Sequence, residues 1–187
     1  MNSLSDEELA RSVQRGDADA FGVLMERYEA KLVRYARRFL FGQSDAQDLV
    51  QDAFLKAYMN IRSFDAGRKF SSWLYRIAHN EFISALRKRT RQPIFSFDPD
   101  TIFPHPLSRE TADREANVAE LRALMDKGLG DLQPKYREPL ILYYFEEKDY
   151  REIADILQIP VATVGVRLNR GRTMLKTRFH ERGYSHD

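Results

Sequence analysis

The sequence contains no cysteine, a single tryptophan and four scattered histidines. The absence of cysteine excludes disulfides, a thiol nucleophile and every zinc site that uses cysteine ligands. The histidines form neither an HxxxH nor an HExxH pair, so we expect no metal site and no cofactor. No apolar run approaches the roughly 20 residues that span a bilayer, and we therefore expect no membrane insertion.

The N-terminal segment MNSLSDEELA lacks the features of a targeting signal. It has early acidic residues and neither an apolar core nor an Arg-rich amphipathic pattern, so we expect a cytoplasmic protein. The 187 residues, of which 43% are hydrophobic and 31% charged, have the composition of a folded globular protein. This length suffices for one ordinary domain or two small ones.

Charge is unevenly distributed along the chain, although the net charge is only +2. Residues 67–92 contain seven basic residues and one acidic residue, and residues 161–182 contain six and one. Between them, residues 93–120 contain two basic and six acidic residues. This alternation indicates separate surfaces with different partners rather than one uniformly basic protein.

The first ninety residues have the periodicity of four helices. A capping box of Ser5 and Glu8, followed by Gly16, predicts a short first helix. Apolar residues recur every three or four positions over 21–39 and predict a long second helix, which Gly42 would close.

A second capping box, Ser44 with Gln47, opens a third predicted helix that ends near Arg62. Its apolar stripe comprises Leu49, Val50, Ala53, Phe54, Ala57, Tyr58 and Ile61. Ser71 or Ser72 can cap a fourth helix that runs to about Arg89. The four helices form a predicted first domain, residues 1–91.

Beyond this domain, residues 92–115 combine four prolines with clustered acids and predict a linker. A second domain, residues 116–187, shows helical periodicity again, with Pro134 as a favourable first-turn residue. No segment has the alternation of a strand. We therefore expect an all-α protein of two small helical domains joined by an acidic, proline-containing linker.

The second domain contains the pattern of a helix-turn-helix. Asp149 and Glu152 form a capping box, a turn falls at Gln158, and Pro160 starts a longer helix. The spacing of the packed positions, among them Val164, is that of the helix-turn-helix motif. The side chains that point inward from the longer helix are those of Val164, Leu168 and Leu175.

Helical geometry then turns the other face of that helix outward. The outward positions are Ala162, Gly165, Val166, Asn169, Arg170 and Thr173. Arg170 suits a guanine edge and Asn169 an adenine edge. The other basic residues suit phosphates: Arg167, Arg172, Lys176 and Arg178. The alternative is a helical hairpin whose basic face is merely solvated.

The basic block 70–91 begins with aromatic residues. Trp73, Tyr75 and Arg76 lie within one turn, Asn80 follows one turn later, and Phe64 stands in the preceding loop. Aromatic faces and an amide can hold an unstacked base, each stacking contact being worth ~1–3 kcal/mol. The alternative is that Trp73 belongs to the core, as its spacing from neighbouring apolar residues also permits.

The third predicted helix has a mixed acidic and apolar face outside its stripe: Asp48, Gln51, Asp52 and Leu55. Paired carboxylates can form a metal or acid–base site. Acids early in a helix also favour the macrodipole, and no histidine or cysteine stands beside these. We therefore interpret this face as a docking surface for helices of another protein.

Three ordered motifs resemble those of the group 4, or extracytoplasmic-function (ECF), bacterial sigma factors. They are DAQDLVQDAFLKAYMNIRSFD (45–65), FSSWLYRIAHN (70–80) and DYREIADILQIPVATVGVRLNRGR (149–172). The resemblance extends from about residue 5 to 180. It implies a dissociable subunit that binds the clamp and flap of core RNA polymerase, melts the −10 element and reads the −35 element of promoter DNA. It also implies an anti-sigma partner and no catalytic residues.

The resemblance assigns roles to particular residues. The clamp-facing positions are Asp48, Gln51, Asp52 and Leu55. The positions that correspond to the −10 reader are Phe64, Lys69, Trp73, Tyr75, Arg76 and Asn80. Separately from these matched positions, the DNA contacts expected of the helix-turn-helix at the −35 element are Arg151, Thr163, Val166, Arg167, Asn169 and Arg170.

The chain also departs from the family pattern. The family often has Asp where this chain has Ser84, and commonly a basic residue and a serine where it has Gly165 and Val166. The alternatives from other classes are an autonomous helix-turn-helix regulator and a nucleic-acid enzyme that uses the acidic helix.

Overall fold

The computed structural model of the chain describes residues 4–40, 45–90 and 128–181. Over these ranges the chain is helical and contains no strand, which confirms the all-α prediction. The helices are α1 (Asp6–Gln14), α2 (Ala18–Leu40), α3 (Ala46–Asn60), α4 (Phe70–Thr90), α5 (Pro134–Tyr144), α6 (Tyr150–Leu157) and α7 (Val161–Glu181). Among these helices, none is both long and apolar enough to span a membrane.

The chain divides into two compact units, residues 1–93 with 155–157, and residues 94–154 with 158–187. Most of α6 therefore belongs to the second unit. The predicted linker, 92–115, lies outside the described residues, as does the predicted stop at Gly42.

The start and end of α1 follow the sequence prediction. The Ser5 hydroxyl accepts a 3.2 Å hydrogen bond from the Glu8 N–H, and the Glu8 carboxylate accepts a 2.8 Å hydrogen bond from the Ser5 N–H. The hydrogen bond from the Ser5 backbone N–H, together with the nearby Ser5 side chain, lowers the pKa of the Glu8 carboxyl. At the other end, Gly16 adopts φ +104°, a conformation that favours glycine.

The core of the first unit is built from aromatic side chains on α2 and α4. Tyr35 is fully buried, with ring centroids 5.4 Å from Tyr75 and 5.3 Å from Phe82. Phe21 meets Phe54 of α3 edge to face at 6.4 Å. Edge-to-face and offset pairs at 4.5–7 Å are favourable beyond their burial, so these contacts hold α2, α3 and α4 together.

Two predictions about α3 need correction. Its N-cap is Asp45, one residue later than the predicted Ser44, and the Asp45 side chain makes no cap hydrogen bond. Tyr58, assigned above to the apolar stripe, is 45% exposed. Its ring lies 5.1 Å from that of Phe21, so it covers the edge of the core rather than entering it.

The predicted cap of α4 is also wrong, because Ser71 and Ser72 both lie inside the helix. The N–H of Phe70, the first residue of α4, instead donates a 2.9 Å hydrogen bond to Glu7 Oε1 of α1. A tertiary contact thus performs the function that the sequence pattern assigned to a local serine. Farther along, Lys56 of α3 forms a 2.6 Å ion pair with Glu81 of α4.

In the second unit, α5 packs against α7. The guanidinium of Arg137 donates to the carbonyls of Gly130 (3.1 Å) and Leu132 (2.8 Å), which fixes the 3₁₀ turn Leu129–Asp131 beside α5. Burial lowers the pKa of Arg137. Gly171 lies at the crossing, where a Cβ atom would stand 2.9 Å from Leu140 Cδ1.

Candidate nucleic-acid interface

The α3–α4 connection, defined as residues 61–69, carries the first candidate nucleic-acid contacts. It begins with the 3₁₀ turn Ile61–Ser63 and then turns around Asp65, whose Oδ1 accepts a 2.9 Å bond from the Gly67 N–H. The Asp65 carbonyl accepts a 2.9 Å bond from the Arg68 N–H. These local bonds give a compact connection that ends at the exposed Lys69.

Phe64 of this connection packs into an aromatic cluster with Phe70 and Trp73. The centroids are 5.4 Å apart for Phe64 and Phe70, 5.3 Å for Phe64 and Trp73, and 5.6 Å for Phe70 and Trp73. Phe64 is 4% exposed and Trp73 is 8% exposed. The free chain therefore holds Trp73 as a core residue, the alternative that the sequence left open.

Among the −10 candidates, the accessible groups are polar. Lys69 and Asn80 are exposed, and Arg76 is half-buried. Tyr75 is 1% exposed and packs on Tyr35, so its ring cannot stack on a base while the core is intact. The structure thus separates the six predicted −10 residues into three polar side chains within reach of solvent and three packed rings.

The second unit has the geometry of a helix-turn-helix, as predicted. Asp149 accepts hydrogen bonds of 2.8 Å from the N–H groups of Arg151 and Glu152, and Glu152 completes the capping box. α6 ends at Gln158, whose φ of 54° and ψ of 47° place it in the left-handed region. Pro160 precedes α7 directly, and its carbonyl accepts from the Val164 N–H at 3.2 Å.

The exposure of α7 differs from the prediction in its N-terminal half. Residues 163–168 are all buried, and Gly165 and Val166 were expected to face outward. Successive helical residues are about 100° apart, so six consecutive buried residues leave no side of the helix facing solvent. The outward orientation predicted for Gly165 and Val166 is therefore wrong for the free chain. Any contact of these residues with DNA stays a prediction.

The remaining −35 candidates fall into an accessible group and a buried group. Asn169 and Arg151 are exposed, and Arg170 is half-buried. Thr163 is fully buried and Arg167 is 5% exposed, although Arg167 was expected to face phosphates. The accessible candidates in this motif are therefore Arg151, Asn169 and Arg170.

Two of the predicted phosphate contacts have partners within the second unit. Arg172 donates to the Tyr144 hydroxyl at 3.4 Å. Arg178 donates to the Asp131 carbonyl and lies 3.9 Å from the Asp131 carboxylate. Lys176 is exposed. These arginines tie α7 to neighbouring segments, a role that sequence spacing alone does not indicate.

The outer face of α3 agrees with its prediction as a surface. Asp48, Gln51 and Asp52 are exposed, and Leu55 is 59% exposed. No group of histidine, cysteine or carboxylate side chains suited to a metal ion occurs within 4–40, 45–90 and 128–181. The sequence interpretation missed Met59, which is 72% exposed and continues the same stripe one turn after Leu55.

Comparison with known proteins agrees with this architecture. The model of Sigma-70 region 2 matches residues 24–92, and that of Sigma-70, region 4 matches residues 122–175. The ECF RNA polymerase sigma factor SigW of Bacillus subtilis is 36% identical over 179 residues, which cover 91% of this chain and 95% of SigW. The ECF RNA polymerase sigma-E factor of Escherichia coli K12 is 34% identical over 176 residues, 90% of this chain and 91% of that protein.

Solved structures give the same result. The structure of CnrH in complex with the cytosolic domain of CnrY aligns with a TM-score of 0.69 and 28% identity, covering 94% of this chain and 97% of that chain. The sigma factor RpoE of Bartonella quintana, crystallised with the anti-sigma factor NepR, aligns with a TM-score of 0.63 and 28% identity. That alignment covers 84% of this chain and 94% of RpoE.

Helical units that match region 2 and region 4 of sigma-70, in that order, define the class as an RNA polymerase sigma factor. Within this class, the chain belongs to the ECF sigma factors. It is an alternative sigma factor that directs promoter-specific transcription, and thus an initiation factor rather than an enzyme. Membership in this family implies core RNA polymerase and promoter DNA as partners.

Proposed function

We propose that the two units divide promoter recognition between them. The second unit reads the −35 duplex through the exposed Asn169 and the half-buried Arg170, both on α7 of its helix-turn-helix. The first unit holds the melted −10 strand with Lys69 and Arg76, which stand four residues before and three residues after Trp73, and with Asn80, one turn farther along α4. The position of the accessible polar groups supports this division. In the first unit they lie in or beside the predicted −10 motif, and in the second unit Asn169 and Arg170 lie on the second helix of the predicted helix-turn-helix.

The outer face of α3 is the proposed clamp-binding surface of core RNA polymerase. Its stripe of Asp48, Gln51, Asp52, Leu55 and Met59 combines acids with two exposed apolar side chains. Exposed apolar residues rimmed by polar groups are typical of protein interfaces. Because α3 packs through its opposite face, a partner can bind here without disturbing the core of the first unit. The second unit contacts the polymerase flap in this proposal.

An anti-sigma factor is the proposed regulator, since two of the aligned solved structures are complexes, of CnrH with CnrY and of RpoE with NepR. Such a partner blocks transcription most directly by covering the outer face of α3. The site of action that follows from this function is the bacterial cytoplasm, where transcription takes place.

Run-off transcription with purified core polymerase on a panel of promoters tests the proposal. We expect promoter-specific initiation that depends on this chain. The Leu55→Arg variant should lose binding to core polymerase, because it replaces one of the two exposed apolar side chains of the stripe with a charge. Val23→Arg is the matched control, since Val23 is an exposed apolar residue of α2, at 39%. It should bind core like the wild type.

Absence of both core binding and initiation would contradict the proposed function. Specific binding of the isolated chain to duplex promoter DNA, with a steep salt dependence, would instead indicate an autonomous helix-turn-helix regulator. Equal loss of core binding in Leu55→Arg and Val23→Arg would reject the α3 surface as the docking site.

A further inference from the structure

Helix α1 lies outside the region 2 match, which begins at residue 24. Three of its polar side chains, Glu7, Arg11 and Gln14, are separated by four and three residues and therefore share one face of the helix. All three form hydrogen bonds with backbone groups of residues 61–70. One face of α1 is thus devoted to the α3–α4 connection and the residue that follows it.

Gln14 is the central member of this face. Its Nε2 donates to the Ile61 carbonyl at 2.9 Å and to the Phe64 carbonyl at 2.8 Å, so one amide group joins both ends of the 3₁₀ turn. A carbonyl can only accept, and a primary amide nitrogen has two hydrogens to donate, so the pairing uses the full donor capacity of Gln14. The side chain is half-buried, which protects these bonds from exchange with water.

Arg11 and Glu7 bind the rest of the connection. Arg11 donates to the Ala66 carbonyl at 3.2 Å, within the turn that begins at Asp65. Glu7 accepts from the Phe70 N–H at 2.9 Å, where α4 begins. Four hydrogen bonds from three side chains therefore fix the backbone on both sides of Phe64 and Lys69.

We propose that this face of α1, called here the α1 brace, holds the α3–α4 connection in the conformation that captures the melted −10 strand. Gln14 is its main positioning residue, and none of the three residues need touch DNA. The inference rests on the proposed function, in which Lys69 and the aromatic cluster form the −10 site. Because the connection is already ordered before DNA binds, the binding step does not carry the entropic cost of ordering it. Loss of the α1 brace should therefore weaken −10 binding selectively.

Gln14→Met tests the α1 brace because methionine keeps the length of the side chain and removes the hydrogen-bond donors. Gln14→Lys is the conservative variant, since an ammonium group on a flexible stem can donate to both carbonyls. Arg15→Met is the matched control, because the Arg15 side chain bonds only to the Arg11 carbonyl of its own helix. Arg11→Met, at an exposed position, tests the α1 brace without altering a half-buried site.

The readout is the affinity of holoenzyme for a single-stranded oligonucleotide that carries the −10 element of a promoter transcribed in the run-off assay. We expect Gln14→Met to weaken this affinity about tenfold and Arg11→Met about threefold, as loss of two hydrogen bonds and of one would give. Gln14→Lys should stay near the wild-type value, and Arg15→Met should equal it. Core binding and affinity for duplex −35 DNA should not change in any of these variants.

Wild-type affinity for the oligonucleotide in both Gln14→Met and Arg11→Met would overturn the proposed α1 brace. A parallel loss of core binding, −35 affinity and −10 affinity would also overturn it, because it would assign Gln14 to general stability. Failure of the proposed function gives a different pattern. In that case wild-type holoenzyme itself would not bind the oligonucleotide, or Lys69→Ala would bind it as well as the wild type does.

Discussion

The carboxylate of Glu7 accepts a 2.9 Å hydrogen bond from the backbone N–H of Phe70, 63 residues farther along the chain. The N–H groups of a first helical turn have no partner within the helix, and the helix macrodipole favours a negative charge beside them. Glu7 provides both an acceptor and a charge. The N-terminal helix therefore caps the helix that carries Trp73 and Asn80.

Replacing Glu7 should destabilise the first unit measurably. We expect Glu7→Ala to lower its free energy of unfolding by about 1 kcal/mol, the usual effect of losing a cap. Glu7→Gln keeps an acceptor oxygen and should lose only about 0.5 kcal/mol, from the charge. Trp73 is the only tryptophan, so its fluorescence during urea denaturation reports on this unit. Equal stability of Glu7→Ala and the wild type would contradict the cap.

The two kinds of cap show how far the sequence could predict this fold. The Ser5–Glu8 and Asp149–Glu152 boxes could be predicted because both partners lie three residues apart. The Glu7 cap could not, since no local pattern connects residues 63 positions apart. Helix existence and the helix-turn-helix are properties of local periodicity, whereas the partner of each helix end depends on tertiary packing.

The candidate site shows the same limit. Periodicity placed Leu55 on an exposed face, and the same spacing could have added Met59. It could not decide whether Trp73 and Tyr75 pack inward, because an aromatic residue at helical spacing suits either environment. Nor could it predict that Val166 is buried, since a surface helix is expected to keep one side in water.

Gly171 and Gly22 offer a matched pair of glycine substitutions in helices. A Cβ atom at Gly171 would lie 2.9 Å from Leu140 Cδ1 and 3.2 Å from the Tyr136 carbonyl oxygen, whereas Gly22 has no such neighbour within 4 Å. We expect Gly171→Ala to destabilise the second unit by about 1–3 kcal/mol. Gly22→Ala should stabilise the first unit by about 0.5–1 kcal/mol.

Hydrogen exchange measures both effects, because protection of α5 and α7 reports on the second unit and protection of α2 on the first. Faster exchange in α5 and α7 of Gly171→Ala, and slower exchange in α2 of Gly22→Ala, would fit the geometry. Stabilisation by both substitutions would show that α5 and α7 have room to separate.

Tyr28 should make the first unit sensitive to alkaline pH. Burial, reinforced by donation of its hydroxyl to the Asp6 carboxylate, raises the pKa of Tyr28 far above the ordinary value. The unfolded tyrosine ionises near pH 10, whereas the folded one stays protonated. The stabilising effect is therefore complete below about pH 10 and falls by up to about 1.4 kcal/mol per pH unit above it.

Comparison with Tyr28→Phe isolates this effect. The variant lacks the ionisable hydroxyl, so its free energy of unfolding should decline less steeply than that of the wild type between about pH 10 and 11. Urea denaturation followed by Trp73 fluorescence at each pH gives both curves. Parallel curves would show that Tyr28 ionises equally in the folded and unfolded chain.

Arg170 and Lys176 should affect DNA binding in different ways. We expect Arg170→Ala to weaken holoenzyme binding to its preferred −35 duplex by about 1–3 kcal/mol and to relax preference at one base pair. Lys176→Ala, at an exposed position, should weaken binding similarly on all sequences and reduce the salt slope by about 1. Affinities over a −35 panel at several salt concentrations distinguish the two. Sequence-independent loss in both variants would reject Arg170 as a base reader.

Trp73 combines a packed environment with a position expected at the −10 element. Its ring lies 5.3 Å from Phe64 and 5.6 Å from Phe70, so Trp73→Ala should lower the free energy of unfolding by about 3–5 kcal/mol. Wherever the variant remains folded, we expect it to impair open-complex formation more than closed-complex binding.

Trp73→Phe separates these two effects because it retains an aromatic ring in the cluster. We expect it to lose less stability than Trp73→Ala and still to open promoter DNA more slowly, since a smaller ring gives a base less surface on which to stack. Far-UV circular dichroism gives stability without tryptophan, and permanganate reactivity of −10 thymines gives the rate of opening. Wild-type opening by Trp73→Phe, together with Trp73→Ala failing mainly to fold, would assign Trp73 to the core alone.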